Sequence, residues 1–170
     1  MADDEPYSGI IGAVPYALRA SDSLLFRSYA VIGTLLAVLV ALLFTFALVV
    51  LFSRTVGVGG GTFTFSRAFF VFVGLLVVGP LIAPVLLVAR GRRRGTASAR
   101  YDAAMGIAGY LFVVSLYLGL VISTPASQQS TVTGPGAIVV DALYALPRIA
   151  GLVPPLLAVA VQWLVYRRLG

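Results

Sequence analysis

Asp141 and Arg148 stand seven residues apart with Tyr144 between them, so a continuous helix would set all three on one face. An ionisable pair beside an apolar run raises the question of a function there. The plainer reading is an outer ion pair whose long side chains reach toward water. Arg92, Arg93 and Arg94, flanked by Arg90 and Arg100, form a second cluster. It reads as a topology anchor, with contact to anionic lipid head groups as the further reading. The third group is conformational. Gly79, Pro80 and Pro84 in one apolar run, and Pro154 and Pro155 in another, remove backbone donors and predict bends. Pro80 frees the carbonyl of Leu76, and Pro84 that of Pro80. Each bend is either a hinge lining a cavity or a static bend that improves packing.

Most other chemistry lacks its parts. The chain has no His, no Cys and no Lys. Haem imidazole ligation, iron–sulfur clusters and zinc sites are therefore not expected, and Ser115 has no nitrogen base to activate it. Outside the acidic start (Asp3, Asp4, Glu5) and Asp22, the acids are Asp102 and Asp141, which the topology below puts on opposite faces. No catalytic, metal or cofactor residue is assigned, and an enzyme acting alone is not expected.

These groups are carried by long apolar runs. The chain is 60% apolar and 11% charged, against about half and a quarter for a typical soluble domain. Too few charges exist to cover a surface in water, so part of the surroundings must be hydrocarbon. Between Arg27 and Arg54 lie 26 uncharged residues, and between Arg67 and Arg90 lie 22. Residues 103–122 add 20, and 18 separate Arg148 from Arg167. A bilayer core of about 30 Å needs about 20 apolar residues per helix. The expectation is an all-α integral membrane four-helix bundle. Its helices span approximately 28–53, 67–90, 103–123 and 142–166 of one domain, with 1–27 as a cytoplasmic or interfacial segment. The first run follows an acidic leader and is too long for a signal peptide. Continuous rather than alternating apolar runs argue against a β-barrel.

All twelve basic residues are Arg. Four spans put nine of them (19, 27, 90, 92, 93, 94, 100, 167, 168) on the side of the two ends, against Arg54, Arg67 and Arg148 opposite. That bias predicts cytoplasmic termini in a multi-pass cell-membrane protein. It accounts for the basic surplus without nucleic acid, for which no basic helix or aromatic platform is present. Residues 8–26 predict a short interfacial helix or a loose tail, with Ser21 or Asp22 capping the next helix. The first outer loop, VGVGGGTFTFSR, is expected to turn at Gly59, Gly60 and Gly61 and to dip Phe63 and Phe65 into the interface. The second, TPASQQSTVTGPG, is polar and uncharged.

Within hydrocarbon, small residues let helices approach closely. Stripes of them run along Gly33, Ala37, Ala41 and Thr45, along Ser115, Gly119 and Ser123, and along Ala150, Pro154, Ala158 and Gln162. They predict a compact bundle. The runs ALRASDSLLFRSYAVIG and FTFSRAFFVFVGLLVVGPLIAPVLLVARGRRRG resemble small four-helix membrane proteins of halophilic archaea without assigned activity. That resemblance covers the first half and implies no functional residue. Two functions follow as expectations. One is an accessory or interaction subunit packing on itself or on another membrane protein. The other is a small oligomeric permease or channel for an uncharged or small solute.

Overall fold

The computed structural model describes residues 9–55 and 61–170. All regular structure among them is helical: α1 (Gly9–Ala20), α2 (Leu24–Thr55), α3 (Gly61–Arg93), α4 (Ala99–Ser123), α5 (Ala137–Tyr144) and α6 (Val153–Leu169). Single 3₁₀ segments, Ala126–Gln128 and Arg148–Leu152, flank α5. Four stretches are long and apolar enough to cross a membrane: Leu24–Thr55, Thr64–Arg93, Ala99–Ser123 and Arg148–Leu169. At 1.5 Å per residue, the 32 residues of α2 extend about 48 Å, beyond the hydrocarbon alone.

Helix ends depart from expectation for local reasons. Ser23, rather than Ser21 or Asp22, caps α2, its Oγ accepting from the Phe26 amide at 3.3 Å. Helix α3 starts at Gly61, so Thr64–Ser66 are helical instead of loop. Phe65 stacks on Phe69 one turn later, with ring centroids 6.3 Å apart. The expected turn at Gly59 and Gly60, and the Phe63 side chain, lie outside the described residues. Gly95, at φ +70°, ends the α3 turn, and Ser98 caps α4 by accepting from the Tyr101 amide at 3.2 Å.

The fourth span is not one helix over 142–166. The chain leaves helix at Ala145–Pro147, makes a 3₁₀ turn over Arg148–Leu152 and resumes at Val153. Pro147 disfavours helical geometry in the residue before it and donates no amide hydrogen bond, which accounts for the break. Pro154 and Pro155 then fall in the first turn of α6, where an amide has no intrahelical partner anyway. They start this helix rather than bend it.

The tightest packing gathers at the end carrying α1 and the Arg-rich turn, called here the basic end. Ala13 and Ala17 of α1 lie one turn apart and are fully buried. They join Phe26, Tyr29 and Ala30 of α2, Val85, Val88 and Ala89 of α3, and Tyr101 and Met105 of α4 in one core. The 9–20 segment is thus a helix docked into the bundle. A smaller cluster of Ala37, Leu81, Phe112 and Ala158 holds the middle. Beyond Ala37, no residue of α2 is buried until Thr55.

Candidate functional site

Asp102 lies near the start of α4, where the Ser98 cap directs it inward and the helix N-terminus favours a negative charge. It is fully buried. Arg92, from the last turn of α3, crosses the Gly95 turn and donates through Nε to Asp102 Oδ2 at 2.9 Å, with a second bond from its guanidinium. Ser21, in the α1–α2 turn, donates through Oγ to the same oxygen at 2.7 Å. Asp22, at the surface, approaches the other face of Arg92 at 3.7 Å. Three chain segments are thereby tied by one carboxylate. A buried ion satisfied in this way costs much to break, because either partner alone would be left charged and dry. Among the described residues, Asp102 Oδ1 has no hydrogen-bond partner.

Arg92 is therefore an internal residue rather than a lipid-facing member of its cluster, its side chain 18% exposed. Arg93 and Arg94 are exposed. Asp141 and Arg148, in contrast, are both exposed and are not joined by an ion pair among the described residues. The break at Pro147 removes the continuous helix on which that pairing depended.

The second construction surrounds Pro84, whose side chain is fully buried. Lacking an N–H, Pro84 leaves the Pro80 carbonyl without its intrahelical donor. Gln162 of α6 supplies one through Nε2 at 3.2 Å, and lies 3.5 Å from the Ala108 carbonyl of α4. Tyr29 of α2 donates its hydroxyl to the next carbonyl, Leu81, at 2.6 Å. The opened stretch of α3 is thus held by side chains from two other helices. Gly79 takes no part in it, since a Cβ there would meet nothing within 4 Å.

The small-residue stripes sort into two kinds. Gly33 faces the Tyr29 ring, where a Cβ would lie 2.7 Å from it, and Gly109 faces the same ring from α4. Gly106 meets the backbone of Phe26, at 2.9 Å from an added Cβ. Gly119 and Gly151 approach backbone to backbone, and Ser123 Oγ donates to the Arg148 carbonyl at 3.2 Å. Ser115, Ala158 and Gln162 are buried along the same α4–α6 contact. Ala150 is half-buried, and Gly151 holds the close contact in its place. Ala37 is buried, whereas Ala41 and Thr45 open onto a cleft of about 210 Å³ between α2 and α3, lined by Phe44, Phe70 and Gly74. At the far end of that hairpin, Arg67 donates to the Thr55 carbonyl at 2.9 Å and covers the Phe52 ring at 4.4 Å. A cation there complements the α2 C-terminus.

A cleft of about 400 Å³ separates α3 from α6, lined by Gly79, Ala83 and Leu87 on one wall and Val159, Trp163 and Tyr166 on the other. Another, of about 210 Å³, lies along α4 and α6 beside Ser115 and Pro154. Among the described residues, no three Asp, Glu, His or Cys side chains gather where they could hold a metal ion.

Sequence reasoning missed Asp102 as a centre. The run GRRRGTASARYD shows charges on both sides of a short turn, which is a signal that they can meet. It does not say which of its four arginines arrives, and Ser21 is 81 residues away.

Residues 1–170 match the family described as "Domain of unknown function (DUF8056)", and the chain belongs to that family. No curated relative and no solved structure matches it.

Proposed function

We propose that the protein crosses the cell membrane four times, with its ends and the Arg-rich turn in the cytoplasm, and serves there as an accessory or interaction subunit. The observation that carries this reading is the far half of the α2–α3 hairpin. It extends past Ala37, the last α2 residue of the shared core, with Leu39, Leu43, Phe46, Val50, Phe65, Phe69 and Phe72 exposed. Lipid covers such a surface, and the Ala41–Thr45–Gly74 cleft gives a partner helix of another membrane protein, or of a second copy, a place to approach closely. The other reading is a small permease with kinked second and fourth spans lining a path. The carbonyl that Pro84 opens is already held by Gln162, which favours a static role. No catalytic group is part of this proposal, and nucleic acid is not a proposed partner. The all-Arg, Lys-free composition fits the halophilic archaeal source that the resemblance implies.

Gentle extraction and reconstitution test the reading. A stoichiometric membrane partner, or a defined oligomer, is expected, with solute flux equal to that of empty vesicles. Flux above that background, lost in Pro80→Ala and Pro84→Ala, would establish the permease instead.

A further inference from the structure

The α3–α6 cleft continues past its apolar walls into a cationic mouth. On α3, Gly79, Ala83 and Leu87 line it. Arg90 and Arg94 follow at helical spacing, within an arc of about 80° of the same face at 3.6 residues per turn. The Arg94 amide still bonds to the Arg90 carbonyl at 3.2 Å, so the helical geometry holds that far. On α6, the wall of Val159, Trp163 and Tyr166 ends at Arg167, which lies 5.2 Å from the Trp163 ring centroid. Among the described residues, none of these three guanidinium groups is paired with a carboxylate, because both ion pairs at this end belong to Arg92. The walls run about 12 Å along the axis from Gly79 to Leu87.

We propose that this cleft is a binding site for an anionic phospholipid, with one acyl chain between α3 and α6 and the head-group phosphate at Arg90, Arg94 and Arg167. The apolar length accepts a hydrocarbon chain, Trp163 and Tyr166 sit where chain gives way to head group, and the unpaired cations select for negative charge. The site shares only Arg94 with the Arg92–Arg93–Arg94 cluster, whose Arg92 is turned inward to Asp102. The inference rests on the membrane reading above.

The protein contains a single tryptophan, Trp163, inside the proposed site. Full-length protein is reconstituted in vesicles of phosphatidylcholine and phosphatidylglycerol at fixed composition. Bromine is carried on the acyl chains of either one lipid or the other. Trp163 emission is expected to report a threefold or greater preference for the brominated phosphatidylglycerol. The preference should fall to near unity in the Arg90→Gln/Arg94→Gln double variant and in Gly79→Leu, which fills the groove without touching a charge. Arg19→Gln should keep it. Equal quenching by the two lipids in the wild type overturns the site, as does a preference that both groove variants retain. Quenching by neither lipid would instead contradict membrane insertion itself, so the two failures are distinct.

Discussion

The two ends of the α2–α3 hairpin are built from similar residues and reach opposite outcomes. At the basic end both helices meet α1 and α4 around Tyr29, Phe26 and Val85, and a buried charge cluster closes the turn. At the far end they meet each other, clasped by Arg67 on Thr55, while α4 is zipped separately to the Arg148–Leu152 turn through Gly119 and Gly151. Hydrophobicity does not distinguish these ends, since Leu, Val and Phe abound at both. The number of segments that share a contact does: at the basic end four helices close on one core, whereas at the far end each close contact (Gly74 on Phe44, Gly119 on Gly151, Arg67 on Thr55) joins two.

That contrast can be broken by single substitutions. The largest loss is expected for Arg92→Ala, which strands a fully buried carboxylate and should cost about 3 kcal/mol or more in detergent unfolding. Gly109→Ala comes next, at about 1–3 kcal/mol, because its methyl group would overlap the Tyr29 ring and that ring is enclosed. Tyr29→Phe and Gln162→Leu each remove a donor from a carbonyl of α3 and should lower stability by about 1 kcal/mol. Gly74→Ala at the far end is the matched control for Gly109→Ala. Its Cβ would lie 2.9 Å from the Phe44 ring, which can swing into the open cleft, so a change of about 0.5 kcal/mol or less is expected. Equal losses for the two alanines would erase the distinction between the ends.

Long uncharged intervals marked the membrane-capable stretches, because an apolar run needs no tertiary information to be recognised. Boundaries were less legible. Arg54 and Arg67 end the uncharged runs on the page, yet α3 continues through Arg67 because the guanidinium turns onto the α2 C-terminus. Pro147 was visible, but whether a proline near a helix start bends, breaks or begins the helix depends on the cap available before it. Spacing alone singles out Gly33, Ala37, Gly119 and Ala158 as small residues on stripes. Tyr29, which fills the space beside Gly33 and Gly109, is not singled out, since an aromatic in an apolar run looks the same whether it faces lipid or core. The Ser21–Asp102 bond joins segments with no local relation, and sequence offers no cue to it.

The claim that a charge pair, rather than apolar packing alone, closes the basic end is tested most directly by a double-mutant cycle on Arg92 and Asp102. With Arg92→Met and Asp102→Leu measured singly and together in detergent, the double variant should be more stable than the sum of single losses implies. The expected coupling is about 2 kcal/mol or more. Single effects that add to within about 0.5 kcal/mol would mean that the two side chains act independently, and the account of this end would be wrong.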